Sequence, residues 1–304
     1  MDLINITECI LCKSKKFKSL YVTHDMHYTI KGEYNYDKCL NCGLVFLNPM
    51  PSEKFLTSLY PETYYSYSDF YGTTQSFLKS FYKKKLVNIG TDDPQFNSPG
   101  KILDIGCGSG QFLFSMKKKG WEVYGVEVNK KAAKLGNELE NLNIFPADLL
   151  SANFPSLTFD YIRANHSFEH ITNPHQVLDE IKRILKKNGK VLIGVPNIDS
   201  FNARFFKKYW WHLGAPVHTF NYSVSTLSSI LEDHGFVVEK VKYNGDYGGV
   251  TGSLQIFLNR NKNLEVYDKG FLMNGFFKLI GHWFAKVQNI LKNADMIEIT
   301  CKIR

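Results

Sequence analysis

Four of the chain's six cysteines stand in two pairs, Cys9-Ile-Leu-Cys12 and Cys39-Leu-Asn-Cys42, with 26 residues between them. Two intervening residues let both thiols of a pair reach one ion from a single tight loop, and Gly43 relieves the turn behind the second pair. Four thiolates form a closed tetrahedral set that suits structural zinc and leaves no position for water. Cys9, Cys12, Cys39 and Cys42 are therefore expected to scaffold a zinc ribbon rather than to react. The alternating and aromatic residues between Phe17 and Tyr36 fit its short strands. No basic stretch followed by an apolar core opens the chain, so the pairs read as a metal site rather than an exported disulfide framework, and the expected location is cytoplasmic. Cys107 and Cys301 read as small core residues. His24, Asp25 and His27, between the pairs, read as surface polar groups.

The second place where spacing implies chemistry is Lys101-Ile-Leu-Asp-Ile-Gly-Cys-Gly-Ser-Gly110. A short apolar strand enters a glycine-rich turn, and Gln111 to Lys119 continues as a helix. The glycines let a ligand approach main-chain N–H groups and the positive helix end. A GxGxG run by itself also fits a dinucleotide site. A second strand, Trp121 to Val126, then ends in Glu127, 17 positions beyond Gly110, and a carboxylate there can accept hydrogen bonds from two ribose hydroxyls. A third strand near Leu142–Phe145 leads to Asp148, placed to meet an adenine amino group.

These elements must sit in a body large enough to position them. A chain of 304 residues, 44% hydrophobic and 22% charged, buries a substantial core and is not disordered. Lys and Arg (37) outnumber Asp and Glu (29), a net +8 that favours anionic partners without choosing among them. No run of about 18 uncharged apolar residues marks a membrane span. The expected division is a ribbon over residues 1–50, an aromatic and helical connector or lid over 51–99, and an α/β domain over 100–304. The connector holds a short helix after Ser52, the aromatic Tyr60–Tyr67 segment and an amphipathic helix from Thr74 to Ile89. Phe236–Tyr243 reads as a sixth strand and Met296–Ile303 as a seventh, completing a doubly wound, seven-stranded Rossmann-like sheet.

Asp104-Ile-Gly-Cys-Gly-Ser-Gly110, Glu127, Asp148, Phe159-Asp-Tyr-Ile followed by Asn165-His-Ser-Phe-Glu-His170, and Ile184 to Asn197 follow one another in the order found in class I S-adenosylmethionine-dependent methyltransferases, which this stretch resembles. The resemblance implies S-adenosylmethionine as cofactor, held by Asp104, Gly106, Cys107, Gly108, Gly110, Glu127, Val128, Asp148, Leu149 and Asn165. The cysteine pairs, Cys42 to Pro49, Tyr60 to Tyr65 and Pro216-Val-His218…Phe220 extend it over most of residues 9–258. There the chain is similar to a branch associated with sugar and surface-polysaccharide synthesis. The implied reaction is O-methylation of a sugar or another small polar acceptor, including nucleotide-linked or lipid-linked sugars. An RNA base methyltransferase that reads nucleic acid through the ribbon is the alternative.

An acceptor hydroxyl must lose a proton as it is methylated. The candidates to receive it are His218, then His170, then His166, the last two following the fourth strand at the carboxyl edge of the sheet, where such folds place ligands. Trp210-Trp211-His212 could stack on a ring or equally serve as core or lid, and Asn244 to Gly249 reads as a flexible turn that could close over the site. Between Gly270 and Leu291 lies a largely apolar helix with Lys278, His282, Lys286 and Asn289 on its narrower polar face. Packing on the sheet or on a second subunit is the plainer expectation, and peripheral membrane contact the alternative.

Overall fold

The computed structural model describes residues 3–59, 94, 96, 98–262, 264 and 266–304. The aromatic segment at 60–67 and the expected helix at 74–89 lie outside the described residues. Among those described, no helix is long and apolar enough to cross a membrane.

The strands in chain order are β1 (Leu3–Ile4), β2 (Phe17–Thr23), β3 (Tyr34–Cys39), β4 (Val45–Leu47), β5 (Met50–Pro51), β6 (Lys101–Ile105), β7 (Glu122–Val126), β8 (Ile144–Phe145), β9 (Phe159–Asn165), β10 (Leu185–Pro196), β11 (Phe220–Asn221), β12 (Phe236–Asn244) and β13 (Met296–Ile303). Seven of them form the expected sheet, in the order β12-β13-β10-β9-β6-β7-β8. It is mixed: β6, β7 and β8 run parallel, while β13 is antiparallel to both β10 and β12. The result is an α/β Rossmann-like fold with a mixed seven-stranded sheet. Its residues fall into two compact units, one comprising 62–163 with 184–189, the other 1–61, 164–183 and 190–304.

In the first unit the strands are short because turn chemistry stops them. β6 ends at Gly106, and Gly110 takes a left-handed conformation (φ +83°) to start the helix Gln111–Lys118. Glycine is required there: a Cβ would overlap Leu142, and left-handed backbone disfavours other residues. Lys117 and Lys118 in the helix's last turn oppose its dipole. The next helix, Lys130–Glu140, is capped by Asn129, whose side chain accepts from the Ala132 amide, and ends on left-handed Asn141.

In the second unit the N-terminal strands β2, β3 and β4 join β11 in a sheet of order β11-β4-β3-β2. Its edge strand β11 comes from far along the chain and pairs Phe220 with Phe46 and Asn221 with Val45. Tyr36, fully buried, packs with Val45, Leu47, Ile198, Phe206, Trp210 and Leu213 and donates to the His218 carbonyl at 2.8 Å. Ser223 caps the helix Val224–Asp233 with a complete capping box.

The apolar run Leu254–Leu258 lies in a helix, Ser253–Asn259. One expectation changes. The glycine-rich stretch after Asn244 leads into a buried π-helical turn, Gly248–Gly252, rather than remaining a loose turn. Its glycines serve close approach: a Cβ on Gly249 would overlap the Asp295 carboxylate and one on Gly252 the Trp211 ring. That carboxylate is wholly buried and accepts from Ser200 Oγ (3.0 Å), Asn202 Nδ2 (2.6 Å) and Trp210 Nε1 (2.8 Å). Trp210 is thus core rather than a stacking platform, and Asp295 closes the packing around it.

Asp295→Ala strands three buried donors, each costing about 1–3 kcal/mol. A loss of at least about 3 kcal/mol is expected in urea unfolding, against about 1 kcal/mol for Trp210→Phe, which removes one donor and keeps most of the ring.

Candidate functional site

The glycine turn between β6 and its helix sets main-chain amides toward one carboxylate. Gly106, Gly108 and Gly110 all have positive φ (+70°, +54° and +83°). Glu127, at the end of β7 and 7% exposed, accepts from the Gly108 amide through Oε2 and the Asn129 amide through Oε1, both at 2.8 Å. Burial pushes its carboxyl up, and the two amides oppose that. Beneath the turn, Asp104 is buried and takes Arg163 Nη1 at 2.9 and 3.2 Å, while the guanidinium lies 4.2 Å from the Phe112 ring centroid. Burial raises the Asp104 carboxyl against the pull of Arg163. The pair is buried, so it braces the turn rather than offering a charge to solvent.

Asp148 accepts from the amide and hydroxyl of Ser151 at 2.9 and 2.7 Å. Its partial burial would raise the carboxyl, but these bonds bring it below its ordinary value. Beside these acids, Leu149 is buried and Val128 is exposed. The Cys107 thiol, which burial raises, fills the space over Gly125. Asp104, the glycines, Glu127 and Asp148 share one unit, whereas Asn165 belongs to the other, its side chain against Gly194.

The three histidine candidates converge on Glu169, a residue whose part sequence reading left subordinate. Glu169 is 1% exposed, and neither carboxylate oxygen has a hydrogen-bond partner among the described residues. His166 Nδ1 stands 3.7 Å and His218 Nε2 4.0 Å from its Oε1. The His170 and His218 rings meet edge to face at 4.7 Å. His170 Nδ1 donates to the Val217 carbonyl at 2.9 Å and His218 Nδ1 to the His212 carbonyl at 3.1 Å. A carbonyl can only accept, so these bonds place the proton of each neutral ring on Nδ1 and leave the His218 lone pair on Nε2. Burial depresses His218; for Glu169 burial acts upward, yet the surrounding histidines hold the carboxyl low. His166, at the end of β9, takes a left-handed backbone (φ +56°) fixed by its amide bond to the Gly194 carbonyl.

Tyr222 belongs to the same neighbourhood and sequence reading missed it. Its hydroxyl is buried without a hydrogen-bond partner among the described residues, and burial and Glu169 both raise it. No spacing separates it from the other tyrosines. Arg163 was also missed, hidden in an otherwise apolar strand. His212 pairs with the half-buried Asp246 at 3.3 Å and, against the effect of burial, holds that carboxyl below its ordinary value.

The four knuckle thiols come together. The Sγ atoms of Cys9, Cys12, Cys39 and Cys42 lie within 4.8 Å of one another, with Cys9–Cys42 at 3.6 Å and Cys12–Cys39 at 3.5 Å. These separations exceed any disulfide, and a tetrahedral ion bound at about 2.3 Å to each sulfur would set edges of about 3.8 Å. The donor set fits a zinc ion. Asp25 and His27 are not surface groups: Asp25 is buried under three amides, and His27 bridges Asp268 and the Trp211 carbonyl, each at 2.9 Å.

The His218 environment has a consequence for stability. In the unfolded chain this histidine takes a proton near its ordinary value of 6.5, whereas the folded protein resists protonation until far lower pH. The unfolded state therefore binds more protons below about pH 6.5, so stability should fall on acidification. His218→Asn should flatten the slope of unfolding free energy between about pH 6.5 and 4.5, above the range where Glu169 contributes. An unaltered slope in urea titrations would contradict the assignment.

Comparison with known proteins joins these observations. A family profile described as a methyltransferase domain matches residues 74–241. An uncharacterized protein of Methanocaldococcus jannaschii is 31% identical over 127 residues, covering 42% of this chain and 58% of that protein. A ubiquinone biosynthesis O-methyltransferase of Glaesserella parasuis is 32% identical over 107 residues, covering 32% of this chain and 45% of that enzyme. The chain thus spans little more than half of the first relative and less than half of the second. Among solved structures, a SAM-dependent methyltransferase from Archaeoglobus fulgidus superposes with a TM-score of 0.48 at 21% identity, over 75% of this chain and all of that one. Because the profile covers more than half of its 304 residues, this chain belongs to the methyltransferase-domain family.

Proposed function

We propose that the chain transfers a methyl group from S-adenosylmethionine to an oxygen of a small polar acceptor, a sugar or a sugar-linked molecule. The observation that carries the reading is Glu127, a buried carboxylate at a strand end joined to the middle of the glycine turn. S-adenosylmethionine supplies an electrophilic methyl group on a sulfonium. In this reading Glu127 takes the ribose hydroxyls, Asp148 with Leu149 and Val128 takes the adenine, and the amides of Gly106 to Gly110 over Asp104 and Cys107 take the remainder together with Asn165. His218 is the first choice to receive the acceptor's proton, ahead of His170 and His166. Its Nε2 carries the lone pair, and Glu169 stabilises positive charge arriving on any of the three rings. Similarity to a ubiquinone biosynthesis O-methyltransferase and to a probable tocopherol O-methyltransferase supports oxygen as the methylated atom.

We further infer that Cys9, Cys12, Cys39 and Cys42 hold one structural zinc ion, completing a zinc ribbon. A closed set of four thiolates leaves it no part in methyl transfer.

Three measurements test these readings. Calorimetry should show S-adenosylmethionine binding that weakens roughly 10- to 100-fold in Glu127→Ala, the scale of hydrogen bonds to a charged group; absence of binding to the intact chain would end the reading. Radiolabelled cofactor offered with nucleotide sugars, lipid-linked glycans and RNA should label a glycan fraction, and label confined to RNA would move the acceptor to nucleic acid. Elemental analysis should find one zinc per chain, lost in Cys39→Ser together with several degrees of melting temperature.

A further inference from the structure

The helix Gly275–Ile290 is packed inside out. Its inner face is small and polar. Gly281 lies against Tyr247 and Thr251, Ala285 is buried, and Gln288 accepts from the Asn202 amide at 3.2 Å. The rings of His282 and Tyr247 meet at 5.2 Å, and Lys278 Nζ sits 4.7 Å over Tyr247. The apolar residues point the other way. Phe276 is 69% exposed, Leu279 53%, Trp283 62% and Ile290 81%, at intervals that align them along one stripe. Phe271 before the helix and Leu291 after it extend the stripe at both ends, and Phe284 borders it. An aromatic and aliphatic surface of this extent on a folded protein marks contact with a partner. Of the plainer expectation, packing on the sheet or on a second subunit, the sheet is not what this face meets.

Charge identifies the partner. From Lys269 to Ala294 the sequence contains no Asp or Glu, while Lys269, Lys278, Lys286 and Lys292 are spread along it. Lys269, Lys286 and Lys292 are exposed. A second copy of the chain docked through the same stripe would bring like charges together, because a twofold contact sets each patch on itself. A leaflet of anionic lipid meets both properties: it accepts Phe and Trp rings at the acyl boundary and attracts lysines at the headgroups. We propose that this helix, with its flanks, is a monotopic anchor that lays the protein on an anionic membrane surface. The inference stands on this face alone and does not depend on the reading of the methyl-transfer site.

The test uses the whole chain and sucrose-loaded vesicles of phosphatidylcholine with or without phosphatidylglycerol. Co-sedimentation with the anionic vesicles is expected, accompanied by a blue shift of tryptophan emission. Binding should fall at least tenfold in Phe276→Ser/Trp283→Ser, and tenfold or more in Lys286→Glu/Lys292→Glu. Both pairs change exposed positions, and matching melting temperatures confirm that the variants fold. No binding, or equal binding to neutral and anionic vesicles, overturns the proposal. So does a concentration-dependent dimer by light scattering that the Phe276→Ser/Trp283→Ser variant abolishes while vesicle binding is absent.

Discussion

A single buried carboxylate organises the larger unit. Asp295 has no ion-pair partner at hydrogen-bond distance among the described residues, so its solvation in the interior falls to three neutral donors, Ser200, Asn202 and Trp210. Those donors come from the segment after β10, and the acceptor stands just before β13. The Asp295 carbonyl also takes the Asn197 amide at 2.7 Å, so backbone and side chain both tie the two segments. Burial of a carboxylate is tolerable only if its donors are held in place. The close passage of Gly249 leaves the carboxylate no other position. Asn202, shared with Gln288, carries the same constraint outward to the inside-out helix.

The carboxylates of Glu127 and Glu169 are buried on opposite physical terms. At the glycine turn the carboxylate of Glu127 is met by backbone amides, a neutral and geometrically exacting solution. Around Glu169 no donor among the described residues reaches hydrogen-bond length, and charge is left to be balanced by titratable rings nearby. The first arrangement suits holding a fixed ligand; the second suits moving a proton, because a histidine that gains one is met at once by a carboxylate.

What could be read from sequence divides along the same line. The glycine turn and the acid at the end of β7 are local patterns whose chemistry lies within a few residues, and each stands where its spacing predicts. Strands of the sheet were legible too, as apolar or alternating runs bounded by turn residues. Contacts between distant segments were not. A two-residue strand such as β11 has no period to detect, and nothing near Arg163 announces that Asp104 waits across the sheet. Glycine content after Asn244 suggested looseness where the glycines permit tight packing. For the helix Gly275–Ile290 the period revealed a stripe but not which side faced the protein. Gly281 and Ala285 decide that by admitting Tyr247 and its neighbours more closely than any large residue could.

The pairing of β11 with β4 joins the N-terminal strands to the loop that carries His218, and Tyr36 adds a bond to that residue's own carbonyl. The N-terminal strands are thus not a detachable module with its own inheritance. A transplant limited to the first fifty residues would sever a sheet edge and leave the Tyr36 hydroxyl without its partner. Residues 214–222 would have to travel with it, and variation in one segment constrains what the other can accept. Recombination among relatives should therefore respect a boundary drawn by hydrogen bonds rather than by chain order.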